Sequence, residues 1–346
     1  MYVASMPPGL ACLSPSSEQQ GSRRSVAPTT KHRPIRGSRG EHYKFMLLLL
    51  CPPTLDITKP HNLLSLQKPA NMAPKTVLIT GCSDDGIGYG LAVTFQKQGY
   101  HVFATARNLG KMTKLNGLSN VTLLQLDVTE PSQIEAAVTA VQAQTGGTLD
   151  VLINNAGRNH FMPYLDEDVE QVKALYDINV WGPLRVTKAF VPLLIKAQGS
   201  IAFITSISGY LNVPFMGSYA GSKRALELMA DTLRLELVPF HVKVLCIPTG
   251  AVRTQGQTYF EDFKLPEDSL YKPIEETIAA RAQGQDGTER MPLMDYSSQV
   301  AAQIEQGATG RFWCGANSDR TKASISGDSN EMMDDIFVKI TQLDTL

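Results

Sequence analysis

The sequence predicts an α/β protein built on a doubly wound parallel sheet. Three observations carry this. Short β-branched runs recur between residues 76 and 247 with helical segments between them. The first run ends in a glycine-rich turn that leads directly into a helix. The 346 residues are 43% apolar and 19% charged, enough apolar surface to cover both faces of such a sheet.

Taken in order, Thr76–Thr80 is a β-branched run ending in glycine, a buried strand, and Gly88–Lys97 has helical spacing. His101–Thr105 and Val121–Leu126 are the second and third strands. Pro131–Gln144, rich in Ala, Val and Gln, is a helix with Thr129 as N-cap and Gly146 as its stop. Leu149–Ile153 is the fourth strand. Residues 168–197 form a long helical stretch with Pro183 near the middle. Ser200–Thr205 is the fifth strand, Gly217–Val238 a helix, and Val242–Ile247 the sixth strand. Right-handed crossovers between parallel strands place helices on both faces.

The composition changes at about Met72. Residues 1–71 hold nine of the 20 prolines and carry nine bases against three acids, a net charge of +6, whereas residues 72–346 carry 23 against 30. The first segment lacks the periodicity of a packed element and reads as loop or disorder. Arg23, Arg24, Arg33, Arg36 and Arg39 ahead of Phe45–Cys51 resemble a targeting sequence, but Pro52 and Pro53 replace a small-residue cleavage site. The plainer reading is a non-structural extension, with Met72-Ala73-Pro74-Lys75 as the natural start. The apolar run Phe45–Cys51 is far below the ~18 residues that span a bilayer. The net charge of the whole chain, −1, gives no basic field for nucleic acid. Five cysteines without a CxxC pair indicate neither a disulfide framework nor a metal site, and suit a reducing compartment.

Two local patterns carry chemistry. Thr80-Gly81-Cys82-Ser83-Asp84-Asp85-Gly86-Ile87-Gly88 sits on the first strand-to-helix turn, where glycines let backbone approach a diphosphate and the helix N-terminus favours an anion. Alone, such a loop is also compatible with a simple tight turn. In Tyr219-Ala220-Gly221-Ser222-Lys223 the spacing sets Tyr219 and Lys223 one turn apart on one helix face. There an ammonium is expected to lower the phenol pKa and make Tyr219 a proton donor and acceptor. Such a pair is often only a solvated surface contact, but Ser206 lies thirteen residues earlier at the end of the fifth strand, where ligands bind in open α/β sheets.

In combination these pieces resemble the short-chain dehydrogenases/reductases. The matching residues are the turn 80–88, Asn154-Asn155-Ala156-Gly157, Asn179-Val180-Trp181-Gly182, Ser206, Tyr219 with Lys223, and Thr249-Gly250-Ala251-Val252-Arg253-Thr254. The resemblance covers about residues 75–315. It implies a Rossmann-like sheet of about seven strands, with a reductase domain over 72–316 and a polar C-terminal tail over 317–346 containing a short helix. It assigns Tyr219 as general acid, Lys223 to the nicotinamide ribose and to tuning Tyr219, and Ser206 to the substrate carbonyl oxygen. Asn179 would anchor a water linking Lys223 to solvent. Gly81, Ser83, Gly86, Ile87 and Gly88, then Asn155, Ala156 and Gly157, then Gly250, Val252 and Thr254 would hold the cofactor, and Asp127 would bond the adenine amino group. No metal is implied. Two departures stand out: the glycine turn carries one extra residue, with Asp84 and Asp85 near an anion site, and Thr249 precedes Gly250 where proline is usual.

The second strand ends Thr105-Ala106-Arg107-Asn108, without an acid for a ribose hydroxyl. Arg107 is suited to a 2′-phosphate, which selects NADP(H); a solvated loop arginine is the alternative. The loops after the later strands offer His160, Phe161, Met162, Tyr164, Tyr210, Leu211, Val213, Phe215, Met216, Tyr259 and Phe260, a lining for a small lipophilic carbonyl or alcohol substrate. Within the family the chain is most similar to the fungal NADPH-dependent 1-acyldihydroxyacetone-phosphate reductase type. A steroid-type or secondary-metabolite ketoreductase is an alternative of the same chemistry. A non-catalytic NADP(H)-binding sensor or scaffold is one of another class, expected to lose Tyr219, Lys223 or Ser206. The resemblance implies a homo-oligomer through the helices 168–197 and 217–238. It is compatible with a cytoplasmic protein or one peripheral to endoplasmic reticulum or lipid droplets, although Ala316–Asn330 is polar where an apolar anchor would stand.

Overall fold

Strands buried on both faces read as continuous apolar runs, and this chain supplies them. The computed structural model describes residues 73–255, 260, 262–325 and 336–346. The extension 1–71, Tyr259 and the first part of the helix expected over 331–346 lie outside the described residues. The strands are β1 (Thr76–Ile79), β2 (His101–Ala106), β3 (Val121–Gln125), β4 (Val151–Asn154), β5 (Ser200–Ile204), β6 (Lys243–Ile247) and β7 (Gly310–Arg311). They form one seven-stranded sheet in the order β3-β2-β1-β4-β5-β6-β7, with every pair parallel.

Alternation along each strand divides the core in two. Val77, Ile79, Val102, Ala104, Ile153 and Ile204 face one layer, covered by α1 (Ile87–Lys97) and α7 (Leu293–Glu305). Leu78, Phe103, Leu152, Ile201 and Val244 face the other, covered by α2 (Pro131–Thr145), α4 (Gly182–Ala197) and α5 (Gly217–Glu236). At Gly90 of α1 a Cβ would strike Ser297 of α7, so these two helices touch backbone to side chain.

One expectation is corrected. Glu130, not Thr129, occupies the N-cap of α2, and no side chain caps it. The Thr129 hydroxyl instead donates to Asp127 Oδ1 at 2.8 Å. The stretch 168–197 is helical without a break from Val169, as expected, with one change of hydrogen-bond pattern inside it. It runs as α3 (Val169–Tyr176), a π-turn over Asp177–Trp181, and then α4. Pro183 stands in the first turn of α4, directly after the π-turn. Part of the polar stretch after Ala316 is ordered as α8 (Ser318–Ser324), with Ser318 and Thr321 buried; α6 (Glu275–Ala282) precedes α7.

The strand order reverses between β1 and β4, which opens a crevice at their carboxyl ends. Everything that follows sits at that edge. No described helix is long and apolar enough to cross a membrane.

Candidate active site

The glycine turn is fixed by its neighbour strand. Gly81 has φ +75°, and a Cβ there would lie 2.9 Å from Ala156 Cα. A Cβ on Gly88 would collide with the Gly81 carbonyl oxygen. Asn155 Nδ2 donates to the carbonyls of Thr80 at 2.7 Å and Gly81 at 2.9 Å, and the amides of Asn155 and Ala156 donate to Thr80 Oγ1 at 3.0 and 2.9 Å. Asn155 and Ala156 therefore shape the turn from behind. Gly86 is the N-cap of α1; no side chain caps the helix and no acid lies in its first turn. Ser83 accepts from the Gly86 amide at 3.1 Å.

The two acids of the longer turn are engaged elsewhere. Asp84 accepts from Thr113 N at 3.0 Å, Thr113 Oγ1 at 2.5 Å and Lys114 N at 3.1 Å. Asp85 pairs with Lys114 Nζ at 2.6 Å through both oxygens and accepts from Gln255 Nε2 at 3.2 Å. Arg107 is exposed just past β2. Asp127 is partly buried just past β3 and donates its amide to Gln133 Oε1 at 2.8 Å.

The second half of the site converges on α5. Ser206 follows β5 in extended backbone and caps a short 3-10 turn over Ile207–Tyr210. Its Oγ accepts from Ser208 N at 3.1 Å and from Ser208 Oγ at 2.9 Å. The Tyr219 phenol is hydrogen-bonded to the Ser206 side chain. Lys223, one turn on, is buried and donates to the Ile204 carbonyl at 3.0 Å, with Nζ 5.9 Å from the Tyr219 ring centroid.

Asn179 is fully buried in the π-turn, a device that re-aims one residue of a helix. Its Oδ1 accepts from Arg158 N at 2.8 Å, and its Nδ2 donates to Arg158 O at 2.9 Å and Ser222 Oγ at 3.0 Å. Ser222 Oγ in turn donates to the Tyr219 carbonyl at 2.7 Å. A Cβ on Gly157 would sit 3.1 Å from Lys223 Nζ and 3.3 Å from Asn179 Oδ1, so the glycine lets these two approach. Asn179, Ser206, Tyr219 and Lys223 thus meet at one edge of the sheet. Ser222 links Asn179 to the Tyr219 carbonyl, Arg158 holds Asn179, and Thr80 ties the Asn155–Ala156 turn to the glycine turn; none of the three was assigned a role from the sequence. The signals were present, in a hydroxyl residue before the first glycine and a serine inside the Tyr–Lys turn.

The electrostatics differ from expectation. Lys223 was expected to lower the Tyr219 pKa, but burial raises it, with only the Ser206 hydrogen bond acting the other way. The same burial pushes Lys223 down to about 8. Both charged forms lose water in this pocket, and the ammonium is directed at the Ile204 carbonyl.

Beyond β6, a Cβ on Gly250 would strike the Ala316 carbonyl oxygen, and Gly250 N donates to Cys314 O at 2.8 Å. The departure at Thr249 has a partner: its hydroxyl meets Tyr296 of α7 at 2.7 Å. Val252 is buried and Thr254 partly so.

Residues 75–264 match the family model described as short chain dehydrogenase. The chain is 47% identical over 233 residues to short-chain dehydrogenase ptmH of Penicillium ochrochloron, which covers 67% of this chain and 85% of that one. It is 40% identical over 210 residues to the NADPH-dependent 1-acyldihydroxyacetone phosphate reductase of Schizosaccharomyces pombe, covering 60% and 71%. A short-chain dehydrogenase structure from Streptomyces avermitilis superposes with a TM-score of 0.64 at 24% identity, over 80% of this chain and 98% of that one. One from Burkholderia cenocepacia J2315, in complex with NADP, does so with a TM-score of 0.59 at 23% identity, over 75% and 95%.

Proposed function

The chain belongs to the short-chain dehydrogenase family, and from that premise we propose that it is an NADPH-dependent reductase of a carbonyl on a lipophilic substrate, with 1-acyldihydroxyacetone phosphate as the substrate to test first. The observation that carries this reading is the joined Ser206 and Tyr219 hydroxyls with the buried Lys223 one turn behind them.

The crevice suits an anionic dinucleotide. The uncapped N-terminus of α1 offers free amide dipoles, and Gly81, Ser83, Gly86, Ile87 and Gly88 leave room for a diphosphate. Asp85 is charge-paired with Lys114 and Asp84 is held by hydrogen bonds from Thr113 and the Lys114 amide, which lessens the repulsion their position suggested. Arg107 would take the 2′-phosphate and Asp127 the adenine amino group. Gly157, Gly250, Val252 and Thr254 would border the nicotinamide. The relative from S. pombe is itself named NADPH-dependent, which supports the same choice here.

When bound, NADPH supplies the hydride. The chain supplies orientation and the proton. Ser208 fills both acceptor positions of Ser206 Oγ, so the Ser206 proton is left to be donated outward, to the Tyr219 oxygen or a substrate carbonyl oxygen. Tyr219, whose raised pKa keeps it a phenol, gives its proton to that oxygen as charge grows there. Lys223 then faces a developing phenolate and stabilises it. Asn179 holds the segment around Arg158 against α5 and keeps the Tyr219 turn in place.

A lipophilic substrate is favoured by the apolar residues shortly after the Asn155–Gly157 turn and just before α5, among them Phe161 and Phe215, which are buried in one cluster. NADPH oxidation against long-chain acyl dihydroxyacetone phosphates, steroids and quinones tests the reading. Turnover of none of them would overturn it. We also infer a cytoplasmic homo-oligomer. Trp181 in the π-turn, Leu184 on α4, and Leu228 and Leu235 on α5 are exposed apolar groups suited to contact with a second copy. A monomer by sedimentation at micromolar concentration would count against it.

A further inference from the structure

Four residues beyond Lys223, on the same side of α5, stands a buried carboxylate that the chemistry above does not use. Glu227 is 1% exposed. Its Oε2 accepts from Thr205 Oγ1 at 3.0 Å. Its Oε1 accepts from the Tyr210 hydroxyl, from Arg224 NH1 at 3.0 Å and from Arg311 Nε at 3.0 Å. Thr205 directly precedes Ser206, and Tyr210 ends the turn that Ser206 caps. One side chain therefore grips the Ser206 turn at both ends, from the helix that also carries Tyr219 and Lys223.

The grip is supported from three sides. The Arg224 guanidinium lies 4.4 Å from the centroid of the Tyr210 ring, which packs on Trp313 at 4.8 Å. Arg311, from β7, also pairs with Asp231 of α5. Cys246 of β6 lies against the Glu227 backbone. A carboxylate gathering two hydroxyls and two guanidiniums is well satisfied only when ionised, since a protonated acid gives up acceptor capacity.

We propose that Glu227 is a positioning residue for the reaction: by holding Thr205 and Tyr210 it fixes the Ser206 hydroxyl against the Tyr219 phenol. This rests on the reading given under Proposed function. Burial raises the Glu227 carboxyl to about 7, opposed by the Thr205 bond and by Arg311, with Asp231 adding to the rise. Protonation as pH falls through that value takes acceptor capacity from Thr205 and Tyr210, so the Ser206 turn loosens and turnover falls. The cofactor cradle of β1 and α1 is not involved.

Glu227→Gln tests this. Losing a hydrogen bond to a charged group predicts a fall in kcat on the order of tenfold. KM and the NADPH Kd should stay within about twofold, because no ligand contact is removed. The acid limb of the kcat profile near pH 7 should vanish in the variant, and Glu227→Asp should restore part of the rate and of the limb. Amide hydrogen exchange at Ser208 and Leu211, corrected for intrinsic pH dependence, reads the turn without any substrate. Protection should fall with pH through about 7 in the wild type and be low at every pH in Glu227→Gln. If that variant does not fold, Thr205→Val removes one grip while keeping the side chain's shape and leaving Arg224 and Arg311 on the carboxylate, and should lower kcat several-fold at unchanged KM. Wild-type kcat and an unchanged acid limb in Glu227→Gln would overturn the proposal, as would protection in the wild type that ignores pH. Absence of NADPH-dependent turnover by the wild type would overturn the reductase reading instead, and the exchange measurement would then decide the positioning role.

Discussion

Ser208 donates twice to Ser206, from its amide at 3.1 Å and from its hydroxyl at 2.9 Å. The two bonds leave Ser206 Oγ one role, that of donor. Ser208→Ala removes one of them and lets the Ser206 hydroxyl rotate. We predict a fall in kcat of roughly three- to tenfold, the worth of about one hydrogen bond, with NADPH affinity unchanged. Steady-state kinetics with a fluorescence titration of NADPH checks it, and an unaltered kcat would refute the assigned role.

Tyr219→Phe keeps the ring and removes the transferable proton. Turnover should drop at least about 100-fold while NADPH binding persists. Retention of most of the activity would remove Tyr219 as the proton donor.

For Arg107, exposed at the end of β2, the expected partner is the 2′-phosphate. Arg107→Ala should weaken NADPH binding on the order of 10–100-fold and leave NADH binding almost unchanged. Equal losses for both cofactors would mark the residue as structural.

Burial of Lys223 makes a prediction about stability. The folded pKa is about 8 against 10.5 for a lysine in water. Between those values unfolding takes up a proton, so the wild type gains stability as pH rises across that window and loses it as pH falls towards the folded value. Relative to Lys223→Met, the gain should reach up to about 3 kcal/mol. Urea denaturation of both proteins at about pH 7.5 and about pH 10 measures it; a pH-independent difference would show that Lys223 keeps its ordinary pKa.

The strands flanking β1, which are β2 and β4, both come from residues after 100. We therefore propose that residues 1–71 are dispensable. A chain starting at Met72 should keep its melting temperature and its turnover, and an insoluble product would refute this.

The sheet was legible in the sequence because strands buried on both faces leave unbroken apolar runs, as in Val77-Leu78-Ile79 and Val151-Leu152-Ile153. The site elements at the ends of those strands followed from the same reading. The π-turn around Asn179 left no trace, because Asp177–Trp181 differs from its flanking helices only in which carbonyl each amide meets. β7 is two residues long and has no pattern to detect. The direction of the Tyr219 shift was missed because a helical spacing gives proximity to Lys223 but says nothing about water. Glu227 looked like an ordinary helix glutamate; its partners Thr205 and Tyr210 come from the turn after β5 and Arg311 from β7.

The contact between Gly90 and Ser297 also bears on synthesis. The helix that follows the central strand emerges from the ribosome early, yet the surface it packs against belongs to residues 293–305. Until some 200 further residues have been made, the face of α1 that carries Gly90 has no cover. The middle of the sheet is begun among the first elements and closed among the last, a long-range dependence that slows folding and leaves the nascent chain reliant on protection from aggregation.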